Sequence, residues 1–161
     1  MKKKTVFIIL GVVLFIAVAV GILFTSLNKE KTSITASQFK TTMEEKGYVV
    51  SDATSQFSSY DYVEQVYVAA PSGYAYKIEF YELSDESYAM SFYNNNKSIF
   101  ESSKGNSSGE TSVSMKNYSK YTLSSSGKYQ VVSRIDNTVI YLNVDASHKD
   151  TVKDLLKELG Y

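Results

Sequence analysis

His148 is the only histidine among 161 residues and there is no cysteine, so the side chains that most often carry acid–base, nucleophilic or metal chemistry near neutral pH are almost missing. The histidine falls in the first turn of a C-terminal helix, where the positive end of the helix dipole disfavours imidazolium, and it reads as a surface residue. A Ser-His-Asp triad needs it beside one particular serine, and 24 serines single none out. Ser-x-x-Lys, the spacing that sets a lysine base one helical turn from a serine nucleophile, occurs at Ser26/Lys29, Ser37/Lys40 and Ser125/Lys128. In a chain so rich in both residues such matches arise by chance, and neither Ser-x-Asn nor Lys-Thr-Gly follows Ser37. Ser126-Gly127-Lys128 has the tail of a phosphate loop, but Tyr129 stands where a hydroxyl residue is needed and the earlier glycine is absent, so it reads as a turn. The acids Asp52, Asp61, Asp136 and Asp145 are scattered, without EF-hand spacing, and there is no HExxH. Neither catalytic residues, a metal site nor a cofactor are expected.

What remains is tyrosine, 14 residues with no tryptophan. A phenol offers a large rigid apolar body with a polar tip, which suits protein or sugar contacts as well as half-buried strands. Tyr60 and Tyr62 sit in a polar loop, and Tyr74 and Tyr76 share one face of an expected strand. These four form the candidate interaction surface.

The elements that would position them read as follows. Thr35 and Gln38 make a capping box for a helix carrying Phe39 and Met43 and ending at Gly47, with Ile34 able to staple onto Phe39. A strand is expected at Tyr48 to Ser51, then a hairpin of Val63 to Ala70 and Tyr74 to Glu82 around Pro71-Ser72-Gly73. Ser84-Asp85-Glu86 opens a second helix with Ala89, Phe92, Tyr93, Ile99 and Phe100 as its apolar stripe, reaching Gly105. Asn106 to Gly109 reads as a flexible loop. Strands follow near Thr111 to Met115 and Tyr118 to Leu123, and Tyr129 to Ile135 pairs with Thr138 to Val144 around Asp136-Asn137. Ser147 and Asp150 are read as the cap of a last helix whose Val152, Leu155, Leu156 and Leu159 recur at i, i+3, i+4 and i+7. Two hairpin-then-helix units, about 63–103 and 129–160, suggest an internal duplication of pattern.

The N-terminus is of another kind. Nineteen residues from Val6 to Phe24 have no polar side chain, and no charge occurs between Lys4 and Lys29. That length spans a bilayer core. Lys2, Lys3 and Lys4 outweigh the flanking charge on the far side, so the positive-inside rule keeps the N-terminus cytoplasmic and the rest outside. A cleaved signal peptide is the rival, since Ala17-Val18-Ala19 has the small-x-small form. With three of the 17 basic residues in the tail, 14 remain against 17 acidic ones, and no basic block supports nucleic-acid binding. Sixteen lysines against the single Arg134, and no disulfides, suit a Gram-positive source.

The expectation is therefore a cytoplasmic tail at 1–4, a transmembrane signal anchor at 5–27, a tether at 28–33 and one extracytoplasmic α+β domain at 34–161. That domain is read as an antiparallel sheet with about three helices packed on one face. Its expected role is a non-catalytic binding or assembly module at the cell envelope, whose partners are the membrane and a protein or glycan. Two alternatives stay open: a cell-envelope hydrolase or transferase using Ser or carboxylate chemistry, and an accessory or sensor subunit of a larger membrane complex.

Overall fold

The computed structural model describes residues 30–105 and 108–161. Helix α1 (Ala36–Glu45) starts where both bonds of the capping box form: Gln38 N–H donates to Thr35 Oγ1 at 3.2 Å and Thr35 N–H to Gln38 Oε1 at 2.8 Å. A carboxylate from the sheet adds to this helix start, Glu82 Oε2 accepting from Ala36 N–H at 2.7 Å. Gly47, at φ +81, supplies the left-handed residue that ends it. Strand β1 (Val49–Asp52), a 3₁₀ turn at Thr54–Phe57, β2 (Val63–Ala70) and β3 (Ile78–Leu83) come next. Then α2 (Glu86–Ser102) leads to β4 (Ser108–Ser114), β5 (Tyr118–Ser125), β6 (Lys128–Ile135) and β7 (Thr138–Asp145). A 3₁₀ turn at Ala146–His148 precedes α3 (Lys149–Glu158).

All seven strands join one antiparallel sheet in the order β1-β2-β3-β7-β6-β5-β4. The α+β class is as expected, but the helices do not share one face. Alternate residues of each strand point to opposite sides. On β3, Ile78 and Phe80 enter a core with Phe39 and Met43 of α1 and Val152, Leu155, Leu156 and Leu159 of α3, whereas Tyr81 and Leu83 enter a second core with Ala89, Tyr93 and Phe100 of α2. The sheet is thus a middle layer, with α1 and α3 on one side and α2 on the other. The sheet interior is apolar on both faces, which a sheet covered on a single face would not need. This arrangement also speaks against duplication of the two hairpin-helix units. β3 and β7 are antiparallel neighbours, so a two-fold axis relating the units must stand normal to the sheet, and it would keep α2 and α3 on the same face.

Local departures have local causes. β3 begins at Ile78 rather than Tyr74, because Gly73 (φ +94) and Tyr74 (φ +56) turn the chain back after Pro71, with Tyr74 N–H donating to Pro71 O at 2.9 Å. β4 starts at Ser108, inside the segment read as loop: Ser108 and Gly109 pair with Ser125 and Ser124. Ile99 is 59% exposed and lies off the buried stripe of Ala89, Tyr93 and Phe100, being six residues, or roughly 240°, beyond Tyr93. α3 has His148 rather than Ser147 at its N-cap, with no side-chain cap bond, since the 3₁₀ turn intervenes. Its apolar stripe packs as spaced, all four residues being buried. The β5–β6 turn has both Ser126 (φ +52) and Gly127 (φ +73) left-handed, the geometry that matches the twist of a tight hairpin.

Among the described residues no helix is long and apolar enough to cross a membrane. The expected span at 5–27, and Lys2, Lys3 and Lys4, lie outside them. Of the expected tether, Lys31 is fastened to the domain: its N–H donates to Asn117 Oδ1 at 3.0 Å and its carbonyl accepts from Asn117 Nδ2 at 2.7 Å.

Candidate functional site

Two of the four tyrosines singled out above meet a third that was not. Tyr60 and Tyr62 are set by consecutive tight turns, Tyr60 N–H donating to Phe57 O at 2.9 Å and Val63 N–H to Tyr60 O at 3.1 Å, while Tyr62 O accepts from Ser84 N–H at 2.9 Å. The last bond ties the loop to the start of α2. There Asp85 caps the helix, accepting from Ser87 Oγ–H at 2.6 Å, Tyr88 N–H at 3.1 Å and Ser87 N–H at 2.7 Å, and these bonds, the Ser87 hydroxyl foremost, hold its carboxyl below the usual carboxylate range. Tyr88 therefore projects from a fixed first turn. Its ring stacks on Tyr62 with centroids 4.4 Å apart and planes within 10°, and Tyr62 meets Tyr60 at 5.6 Å. Tyr60 and Tyr88 are 49% and 40% exposed.

Beside this stack a slot of about 330 Å³ opens between Tyr62 and the outer side of α2, lined also by Tyr88, Ser91, Phe92, Asn95 and Asn96. The helix residues fall at i, i+3, i+4, i+7 and i+8 from Tyr88, so one face presents them together. Asn96 Nδ2 back-bonds to Phe92 O at 2.9 Å, which fixes that amide. The lining is uncharged. Rigid aromatic planes next to amides and a hydroxyl can cover the C–H face of a polyhydroxylated ring and exchange hydrogen bonds with its hydroxyls.

Tyr74 and Tyr76 lie elsewhere, at the ends of β2, β3 and β7. Both line a second hollow of about 320 Å³, with Val49, Val68, Lys77 and the Lys128–Asp145 ion pair among its walls. Tyr74 is 70% exposed at the turn. Tyr76 is half-buried, its hydroxyl 2.8 Å from that of Tyr48 and its ring 4.7 Å from His148, and desolvation there pushes its ionisation well above the ordinary phenol range. The structure brings Tyr60 to Tyr62 and Tyr74 to Tyr76, and keeps the two pairs in separate hollows.

The catalytic patterns meet other partners. Lys40 turns toward Glu44 at 4.0 Å and over the Tyr67 ring, not to Ser37. Ser125 Oγ accepts from Gly105 N–H at 2.9 Å, and Lys128 Nζ donates to Asp145 at 2.6 Å. Among the described residues no group of three or more His, Asp or Glu side chains is placed to hold a metal ion. Sequence reading missed Tyr88, Asn95 and Asn96: helical spacing sets Tyr88 and Asn95 away from the stripe of Ala89, Tyr93 and Phe100, but Asn96, three residues after Tyr93 and four before Phe100, borders that stripe, so no helical face clear of it announced the three together. Compared with known proteins, the chain matches no family model, no curated protein and no solved structure.

Proposed function

We propose that this chain is a single-pass membrane protein whose α+β domain lies outside the cytoplasm and acts as a non-catalytic binding module, taking a neutral glycan of the cell envelope at the slot beside Tyr62 and Tyr88, with Tyr60 at its flank. The observation that carries the ligand class is the stacked pair Tyr62–Tyr88, flanked by Tyr60, beside Asn95 and Asn96 with no charged side chain in the lining. An acidic or basic ligand would find no partner there. Supporting the anchored topology are the 19-residue apolar run and the lysines before it. On that topology the Lys31–Asn117 bonds hold the domain close to the bilayer.

Protease added to intact cells is expected to release the domain and leave a membrane-bound stub. Protection until lysis, or a secreted product beginning near Val20, would overturn the topology. For the slot, a Tyr60→Ser/Tyr62→Ser double variant is expected to stay within about 1 kcal/mol of wild-type stability, because both positions are partly solvated loop sites. Capture of neutral cell-wall glycan fragments should weaken about tenfold or more, as for removal of a rigid aromatic anchor. Equal capture by both proteins would make the tyrosines merely structural. If instead His148→Ala abolishes an activity in a folded protein, a catalytic role replaces this one.

A further inference from the structure

On the opposite side of the sheet from the tyrosine slot, Lys149, Lys153 and Lys157 stand at i, i+4 and i+8 of α3. Their stems leave the helix along one line, over roughly 12 Å at the helical rise. Facing them are side chains of β4 and β5, and between the two walls run hollows of about 520 and 270 Å³ that share Thr111, Thr122, Tyr129 and Lys153 and so join into one groove. A fourth lysine, Lys120 of β5, lines the groove half-buried, its Nζ donating to the Tyr161 main-chain oxygen at 3.1 Å.

The three helix lysines are not neutralised by the protein. Among the described residues none of them forms an ion pair. Lys149 donates only to Ser124 Oγ at 3.0 Å. Of the two acids in the lining, Glu110 is engaged by Lys104 at 3.0 Å and by the Tyr121 hydroxyl at 2.9 Å, which leaves Asp154. Burial, with Lys31 and Lys153 nearby, pushes Lys120 down to about 8. Like charges at i and i+4 also weaken a helix. Holding the row together costs stability in the empty groove, and an anion along it would relieve that cost.

We propose that the groove between α3 and the β4–β5 edge binds a linear phosphate-bearing polyanion, with Lys149, Lys153 and Lys157 meeting successive phosphates and Lys120 one phosphate at the floor. The spacing favours a chain: lysines roughly 6 Å apart along the helix serve repeated charges better than one phosphate. The concavity favours a chain over a bilayer. A planar surface reaches the rim lysines but not Lys120.

The test uses the full-length chain in neutral detergent, titrated with long-chain linear polyphosphate, inorganic phosphate, or vesicles containing anionic lipid. Polyphosphate is expected to bind at least about tenfold more tightly per phosphate than inorganic phosphate. Its affinity should fall roughly twentyfold between about 50 and 200 mM salt, as release of counterions at three or more contacts requires. Lys153→Glu/Lys157→Glu should lose about tenfold or more, while Lys40→Glu/Lys77→Glu, of equal charge change and remote from the groove, keeps its affinity within about twofold. Lys120→Met should weaken polyphosphate binding in a protein whose circular dichroism is unchanged. Absence of polyphosphate binding, equal loss in both double variants, or tighter binding to anionic vesicles than to polyphosphate would overturn the proposal.

Discussion

Phe80→Ala is expected to lower stability by about 3–5 kcal/mol, the range for emptying an aromatic site in a packed core. Phe80 lies in β3, the strand through which the two hairpin arms of the sheet are joined, and is paired with Tyr67 on one side and Ile140 on the other. Its side chain is completely buried. Above it Phe39 of α1 stacks at 4.7 Å with planes 17° apart, and Tyr161, following α3, meets it edge-on at 6.4 Å. One ring therefore meets α1 and the residue that closes the chain after α3, and neighbours held by sheet hydrogen bonds cannot collapse into the space it leaves. Urea unfolding followed by circular dichroism measures this as a lower midpoint at unchanged slope. Ile99→Ala, on a side chain mostly in water, should stay within about 0.5 kcal/mol. A Phe80→Ala loss below about 1 kcal/mol would mean that α1 and α3 do not dock on this face.

The contrast between Phe80 and Ile99 marks what could be read from the chain. Local rules that involve a few consecutive residues held: the Thr35/Gln38 box, the helix start at Ser84-Asp85-Glu86, the positive φ at Asp136, and the apolar stripe of α3. Ile99 departs from its expected place because an apolar side chain joins the buried stripe only where its angle on the helix points inward. The face on which each helix packs was not legible at all. It depends on which way the chain leaves the sheet, and a shift of one residue between the end of a strand and the start of a helix reverses that direction. Leu83 ends β3 with its side chain toward α2, whereas Val144, near the end of β7, points to the side of α3.

The hollows were legible in halves. Tyr60 and Tyr62 announce themselves as aromatics in a polar loop, but the stack of Tyr62 on Tyr88 is a contact across 26 residues that no local pattern contains. The lysine row on α3 looks from sequence like a solvated face with alternating acids. Only the β5 pairing with β6 and the packing of α3 set Lys120 opposite that row.

Glu86→Gln is expected to cost about 2–3 kcal/mol, while Arg134→Met, at the other end of the same ion pair, should cost less or even stabilise the domain. Arg134 is fully buried on β6, on the α2 side of the sheet. Its Nη1 donates to Glu86 Oε1 at 2.8 Å and to the Asp136 carbonyl at 3.1 Å, whereas Nε and Nη2 are buried with no partner in the protein. The guanidinium has lost its water and recovered only part of its hydrogen bonding. Glu86, more than half exposed, has kept much of its hydration. Neutralising the glutamate therefore strands a buried charge with a carbonyl and an amide, and an arginine cannot escape by giving up its proton. The solvent exposure of Glu86 places the expected loss below that of a pair buried at both ends. Methionine at position 134 removes the stranded charge and both unpartnered nitrogens while filling most of the volume, so its loss of the pair is offset by desolvation no longer incurred. Unfolding midpoints of the two single variants and the double variant at pH 7 decide the matter. In the Arg134→Met background, Glu86→Gln should change stability by less than about 0.5 kcal/mol, because nothing charged remains for it to compensate. A larger loss for Arg134→Met than for Glu86→Gln would show that the guanidinium holds α2 to the sheet by more than its bond to Glu86.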